Sequence, residues 1–309
     1  MPNFRFNKAL DMARGVKVFL NPQRGPKREA RPDREHDEDQ AEKPRKNVLD
    51  QGKPEIGALP DFVVIGAQKC GTTFFYRLLG EHPNVQSPTG AREVHYFDKP
   101  ERFDKGIEWY RRCFPPPRWQ DGRRSITGEK SPSYLFHPHA AKRMSEAVPE
   151  ARLIVLLRNP VDRAYSHYHH TKRQGFETLR FEEAIEAEET RLRSDRDRML
   201  EDEHFTSPAL LRYSYRSRGV YVDQLLRWSE FFPEEQMLVL KSEDFFERTT
   251  DTLKLVQGFL GLPYRKLDLQ RNKQKSREPM DPATRRRLEE YFEPHNDRLY
   301  AHLGRDFEW

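Results

Sequence analysis

Cysteine and long apolar runs are both scarce in this sequence. Its 309 residues include only Cys70 and Cys113, and Cys70 lies inside a glycine-bounded loop, so we expect no structural disulfide. No Cys/His spacing is typical of a zinc site. The longest apolar runs, such as 153–157, are far too short to span a bilayer, and the amino terminus has no apolar signal-peptide core. We therefore predict a cytoplasmic protein without a transmembrane segment.

Large apolar side chains are almost missing from residues 21–54, which are rich in Pro, Arg, Lys, Glu and Asp. Such a segment cannot offset its ordering entropy by burial. We therefore predict a disordered or loosely ordered tail over 1–57 and one folded domain over 58–309. The net charge is only +5, and no basic block dominates the sequence. This balance argues against a nucleic-acid-binding role and fits an anionic ligand.

Short apolar runs alternate with helical patterns in the folded part. The runs are apolar on both faces, which is typical of parallel strands covered on each side. The strands are predicted at 62–65, 152–157 and 236–240, and the helices at 72–80, after Pro160, at 249–260 and at 282–302. This order predicts an α/β protein with three α/β/α layers around a central parallel sheet.

The first predicted strand ends in the glycine-bounded loop 66–73. A strand, a glycine loop and a helix amino terminus together form a cradle for anions, because backbone N–H groups and the helix dipole favour negative charge there. The loop reads G-x-x-x-x-G-T-T, whereas a Walker loop reads G-x-x-x-x-G-K-[ST]. Its lysine is displaced to Lys69, and a threonine stands in the usual lysine position. We therefore predict a phosphate-bearing ligand.

The second predicted strand ends in Arg158 rather than in a carboxylate that could hold magnesium. Arg158 is expected at the carboxyl edge of the sheet, where open α/β sheets bind ligands. On a helix that begins near Pro160, Arg163 and Ser166 share a face. Arg158 and Ser166 are predicted to bind a second phosphate group. Arg163 either joins them or forms a salt bridge within the fold.

Several ordered motifs resemble the sulfotransferase superfamily, and most closely the heparan sulfate 3-O- and N-sulfotransferase domains. The resemblance covers about 61–309, and its motifs lie at 68–73, 93–98, 106–110, 129–134, 158–166 and 306–309. It implies a P-loop-like sulfotransferase fold. It also implies 3′-phosphoadenylyl sulfate (PAPS) as the sulfate donor, PAP as the product, and no metal. The His167, His169 and His170 cluster is accordingly not expected to bind one.

The resemblance also implies a role for individual residues. In such enzymes the glycine loop wraps the 5′-phosphosulfate, and the basic strand end binds the 3′-phosphate. The implied PAPS-binding residues are Gln68, Lys69, Cys70, Gly71, Thr72, Thr73, Arg158 and Ser166. Lys69 would also stabilise the charge that builds on the departing phosphate. Glu93 is the implied catalytic base, His95 the rival base, and Lys130 the lysine that approaches the sulfuryl group from the acceptor side. Asp98 either holds an acceptor group or caps a turn.

Near the carboxyl terminus, Lys275, Ser276 and Arg277 resemble a basic loop that closes over PAPS. In the heparan enzymes this loop usually carries a lysine-glycine-arginine triplet and a disulfide. Here a serine replaces the glycine and no cysteine is near, which predicts a looser loop. The missing membrane anchor of the animal enzymes indicates a soluble, bacterial-like relative.

The acceptor is expected to be a hydroxyl or an amine, most simply on a carbohydrate. Its pocket is predicted to be built by segments 93–112, 132–137 and 177–218. Two other functions remain open at this point. One is a P-loop kinase or NTPase, which the displaced lysine and the missing metal carboxylate argue against. The other is a non-catalytic nucleotide- or glycan-binding protein, which the presence of Lys69, Glu93 and Lys130 argues against.

Overall fold

The computed structural model describes residues 57–90, 93–268 and 278–309. In this part of the chain the strands are β1 (Phe62–Gly66), β2 (Val85–Gln86), β3 (Trp119–Gln120), β4 (Arg123–Arg124), β5 (Ile126–Lys130), β6 (Arg152–Leu157) and β7 (Met237–Lys241). Five of them form a parallel sheet in the order β2-β5-β1-β6-β7, and β3 and β4 form a separate antiparallel hairpin.

Helices cover the sheet and extend from it. They are α1 (Thr72–Leu79), α2 (Pro100–Phe103), α3 (Ile107–Arg112), α4 (Ala140–Ala147), α5 (Pro160–Arg173), α6 (Phe181–Glu201), α7 (Pro208–Tyr213), α8 (Tyr221–Ser229), α9 (Ser242–Glu247), α10 (Thr249–Phe259) and α11 (Pro282–Leu303). Across the described ranges, no helix is both long and apolar enough to cross a membrane.

The predicted α/β class and parallel sheet are confirmed. Every residue of β1 is buried, as are the last five residues of β6, which explains why both strands are apolar on their two faces. The sequence did not reveal β5, because its residues Ile126, Thr127, Gly128, Glu129 and Lys130 are mostly small or polar. This strand is central to the site because it carries Lys130.

The four longer parallel strands bring their carboxyl ends to one edge of the sheet. Val64 of β1 lies opposite Lys130 of β5 and Ile154 of β6, and β6 in turn pairs with β7 up to Lys241. Ligands bind open α/β sheets outside this edge. The glycine loop, Lys130 and Arg158 are therefore neighbours in space although almost ninety residues separate the first from the last.

Candidate active site

The glycine loop turns sharply between β1 and α1. Lys69 and Gly71 both have a positive φ, at 71° and 83°. The Ala67 N–H donates to the carbonyl of Leu156 at 2.8 Å, which ties the start of the loop to β6. Alternating left-handed residues turn successive backbone N–H groups toward one side of a loop, where they favour an anion. The loop therefore has the backbone form that the sequence predicted for a phosphate cradle.

Gly71 is required by space as well as by backbone conformation. A Cβ at this position would lie 2.6 Å from the Phe246 ring, which packs against Phe74 of α1. The neighbouring Cys70 is fully buried, and burial raises the pKa of its thiol to about 11. The Cys70 N–H donates to Ala67 at 3.2 Å, and its carbonyl accepts from Ser242. Cys70 thus braces the loop, and its contact with a nucleotide stays a prediction.

Residues after β6 form the second basic part of this edge. The Asn159 side chain caps α5 by accepting from the N–H groups of Val161 and Asp162 at 3.0 and 3.3 Å. The Arg158 carbonyl accepts from Tyr221 at 2.9 Å, which holds the backbone there, and the Arg158 side chain is half-buried. Ser166 lies buried on α5.

Arg163 lies in the interior, with no exposed surface. Its guanidinium donates to the carbonyls of Ser214 and Tyr215, and no salt bridge to it occurs among the described residues. Burial lowers its pKa. Of the two predictions for Arg163, the salt bridge within the fold is wrong, and the guanidinium instead ties α5 to the segment after α7.

A chain of polar contacts joins the loop that carries Glu93 to the glycine loop. Lys130 Nζ donates to Glu93 Oε1 and, at 2.9 Å, to Thr73 Oγ1. The Lys130 side chain is only 5% exposed, so its charge is held between these two partners. The structure therefore brings together Glu93, Lys130 and Thr73, three of the predicted site residues.

His95 lies between two carboxylates. Its Nε2 is 3.0 Å from Glu93 Oε2, and its Nδ1 is 3.0 Å from Asp98 Oδ2. The Ser133 hydroxyl also donates to Asp98. Asp98 therefore orients the His95 ring. The predicted alternatives for Asp98, an acceptor contact or a turn cap, stay predictions beside this observed contact.

Opposite charges shift the pKa values of this cluster in opposite directions. Burial alone would raise the pKa of Glu93, but the contacts with His95 and Lys130 outweigh it and lower that pKa to about 2. Burial alone would lower the pKa of His95, but hydrogen bonds with Asp98 and Glu93 raise it to about 9. At neutral pH the carboxylate is therefore ionised and the imidazole is protonated.

One buried carboxylate in the site was missed by the sequence interpretation. Glu129 precedes Lys130, is fully buried, and accepts hydrogen bonds from Tyr110 and Tyr134 at 2.7 and 3.0 Å. The available signal was the glutamate in the motif at 129–134, which is unusual at the end of a buried strand. The predicted residues Lys275, Ser276 and Arg277 lie outside the described residues.

The histidine cluster on α5 does not resemble a metal centre. His167 is buried, and burial together with the nearby charge of Arg163 lowers its pKa well below the usual value. No group of three or more His, Cys, Asp or Glu side chains suited to a metal ion occurs in the ranges that the structure covers. The predicted absence of a metal stays a prediction.

The fold and the site together define an α/β protein with a P-loop-like anion cradle and a carboxylate-lysine pair beside it. A sequence profile described as "Sulfotransferase domain" matches residues 59–293. The chain therefore belongs to the sulfotransferase family, whose members take a sulfuryl group from PAPS and release PAP. The predicted family and the P-loop-like sulfotransferase fold are both confirmed.

Individual relatives agree with this placement. A crystal structure of a sulfotransferase from Alicyclobacillus acidocaldarius is 34% identical, with a TM-score of 0.64, and the match covers 81% of this chain and 98% of that one. Human heparan sulfate glucosamine 3-O-sulfotransferase 3A1 is 32% identical over 85% of this chain and 64% of its own length. The bifunctional heparan sulfate N-deacetylase/N-sulfotransferase 1 of Caenorhabditis elegans is 31% identical over 67% of this chain and 22% of its own. The chain thus spans less than two thirds of these two longer relatives.

Proposed function

We propose that this protein transfers the sulfuryl group of PAPS to a hydroxyl or an amine of a carbohydrate acceptor, with Glu93 as the base. The observation that carries the proposal is the chain of contacts from Glu93 through Lys130 to Thr73. In it Lys130 Nζ donates to Glu93 Oε1 and, at 2.9 Å, to Thr73 Oγ1. It connects a proton acceptor to the loop that would hold the donor. A sulfuryl group bound at the loop would thus meet Lys130 on the side from which an acceptor approaches.

The donor set suits a ligand with two separate anionic groups. Lys69 and Thr73 belong to the glycine loop, whereas Arg158 and Ser166 follow β6. The combination of cations, hydroxyls and backbone N–H groups fits phosphate and sulfate. We infer that the loop holds the 5′-phosphosulfate and that Arg158 and Ser166 hold the 3′-phosphate.

PAPS supplies an activated sulfuryl group whose bridging S–O bond breaks as a new bond forms to the acceptor atom. The electron pair of the broken bond stays on the phosphate oxygen, where the ammonium of Lys69 would stabilise it. The acceptor proton would pass to Glu93, which is the only unprotonated member of the Glu93–His95 pair at neutral pH. His95, with its pKa raised to about 9, already carries a proton, so its charge supports Glu93 rather than replacing it.

The carbohydrate acceptor is supported by the relatives and by the site. The two eukaryotic relatives are named for heparan sulfate, one for glucosamine 3-O-sulfation and one for N-sulfation. Arg102 lies beside the loop of Glu93 and donates to the Val94 carbonyl, which places one guanidinium on this side of the site. We infer a glycan acceptor, without assigning the sulfated atom. The cytoplasmic location stays a prediction.

The experiment is mass-spectrometric detection of sulfated product from PAPS, tested against glycans, aminosugars, lipids and phenols. Lys69→Ala and Glu93→Gln should each abolish transfer while PAP still protects the Glu93→Gln variant against thermal unfolding. Lys142→Ala, at an exposed lysine of α4, is the control and should keep full activity. Full activity of both site variants would overturn the assignment. Magnesium-dependent ATP turnover would instead support a kinase or NTPase. PAP binding without transfer to any tested acceptor would support a non-catalytic binding protein.

A further inference from the structure

Glu129 is a carboxylate without any exposed surface, next to Lys130 on β5. Within the described residues it takes part in no salt bridge, and its partners are hydrogen-bond donors. Burial raises its pKa, and these hydrogen bonds oppose that rise. Tyr110 and Tyr134 donate to Oε1 at 2.7 and 3.0 Å. The Ser131 hydroxyl and the Val94 N–H donate to Oε2 at 2.7 and 3.0 Å.

Three consecutive N–H groups of the Glu93 loop converge on this one carboxylate. The Val94 N–H reaches it directly. The His95 N–H donates to Ser131 Oγ at 3.1 Å, and the Tyr96 N–H donates to Tyr134 Oη at 2.7 Å; both hydroxyls donate onward to Glu129. His95 has a φ of 51°, the left-handed conformation that turns successive N–H groups to one side. The loop therefore binds the carboxylate through one direct N–H contact and two contacts that a hydroxyl mediates.

Glu129 and Lys130 hold the same loop from two directions. Successive residues of a strand point to opposite faces of the sheet. Glu129 therefore binds the backbone of the loop from within the core, whereas Lys130 reaches the Glu93 carboxylate and Thr73 at the open edge. The backbone contacts set the positions from which the side chains of Glu93 and His95 leave the loop, and Lys130 holds the Glu93 carboxylate.

We propose that Glu129 is a positioning residue, whose carboxylate sets the conformation of the loop 93–98 and thereby the placement of Glu93 and His95. This inference rests on the proposed function for its consequence in catalysis. The structural part of the inference, that the environment of His95 depends on Glu129, does not rest on the proposed function. A carboxylate suits the position because it offers acceptors only, whereas a glutamine would place an amide N–H₂ against two of the four donors.

The test compares Glu129→Gln and Tyr134→Phe with the wild type. Phenylalanine keeps the ring that lies edge-on to His95 and removes only the hydroxyl, which accepts from the Tyr96 and Phe97 N–H groups and donates to Glu129. The matched control is Tyr215→Phe, since Tyr215 is equally buried and its hydroxyl donates to another buried carboxylate at 2.8 Å. Two quantities are measured in all three variants: kcat and KM for sulfate transfer, and the pKa of the His95 ring by NMR.

Both site variants should lower kcat by about 10- to 100-fold, the effect of displacing a reacting group by about an ångström, with the Kd for PAP changed by less than about twofold. The pKa of His95 should fall from about 9 toward its usual value, because the ring no longer lies between both carboxylates. The control should change neither quantity, although it loses a buried hydrogen bond of the same kind.

The proposal is overturned if folded Glu129→Gln and Tyr134→Phe both keep the wild-type kcat and a His95 pKa near 9. It is also overturned if Tyr215→Phe lowers kcat and the His95 pKa as much as they do, since the effect would then be general loss of stability. If the wild type transfers no sulfuryl group to any acceptor, the proposed function fails. The His95 titration then decides the positioning role alone.

Discussion

Replacing Asp98 by asparagine should lower the pKa of His95 and destabilise the loop that carries it. Burial opposes the protonated ring, yet hydrogen bonds with Asp98 and Glu93 raise the pKa of His95 from 6.5 to about 9. A pKa increase of one corresponds to about 1.4 kcal/mol, so this increase corresponds to about 3 kcal/mol of net stabilisation of the protonated ring. Asp98 should supply a substantial part of it, because its two oxygens lie 3.0 and 3.1 Å from Nδ1 while Glu93 meets Nε2 at 3.0 Å.

The contribution of His95 to the free energy of unfolding should depend on pH, and the raised pKa of His95 sets the direction of that dependence. His95 has a folded pKa above its unfolded value, so its stabilisation is complete below about pH 6.5 and is lost as the pH rises through about 9. The pKa values of Asp98 and Glu93 are lowered, so both remain ionised near neutrality. The loss of unfolding free energy in Asp98→Asn should therefore be larger near pH 6 than near pH 10, by about 1–2 kcal/mol.

Urea unfolding at the two pH values, together with NMR titration of His95, tests this reasoning. Asp223→Asn is the control, because Asp223 forms an exposed ion pair with Arg298 at 2.8 Å and should contribute little at either pH. An Asp98→Asn variant that keeps a His95 pKa near 9 would refute the assigned partner. Equal losses at both pH values would refute the ionic origin and leave only the hydrogen bond with Ser133.

Three further outcomes are expected. Lys130→Met should raise the pKa of Glu93, measured by NMR, and lower kcat by about 100-fold or more, because a fixed cation beside the reacting groups is lost. Gly71→Ala should lower the free energy of unfolding in urea by about 2 kcal/mol, because alanine is strained at a φ of 83° and its Cβ meets the Phe246 ring. Arg158→Ala should weaken PAP binding by about 10- to 100-fold in calorimetry and leave AMP, which lacks the 3′-phosphate, much less affected.

The fold was predictable where burial dictates composition. β1 and β6 are buried on both faces, and only continuous apolar runs satisfy that condition. β5 was not predictable in this way, because Glu129 and Lys130 at its end are buried through hydrogen bonds and ion pairs instead of through apolar contacts. The helices α6 and α7 were likewise missed within 177–218, whose mixed charges partly serve internal contacts such as Glu177 with Arg191 at 2.6 Å.

The sequence predicted candidate residues for the site but not their arrangement. The glycine loop and Arg158 could be located from the sequence, because each directly follows a predicted parallel strand and such strand ends meet at one edge of the sheet. The mutual contacts of Glu93, His95 and Lys130 depend on how a loop folds over β5, and no local pattern encodes that. The contacts of Glu129 are the clearest case, because its donors come from Val94, Tyr110, Ser131 and Tyr134, which lie in separate segments.

The lowered pKa of Glu93 has to be reconciled with its proposed role as base. A carboxylate with a pKa of about 2 is a weak proton acceptor, and the contact with Lys130 is one cause of that weakness. Lys130 also touches Thr73 of the glycine loop, so an anionic sulfuryl group bound there would compete for the same ammonium. Drawing Lys130 toward the sulfuryl group would strengthen Glu93 as a base only when the donor is in place. In the proposed mechanism the acceptor would therefore be activated in the presence of the group that it attacks, and one lysine would serve both requirements.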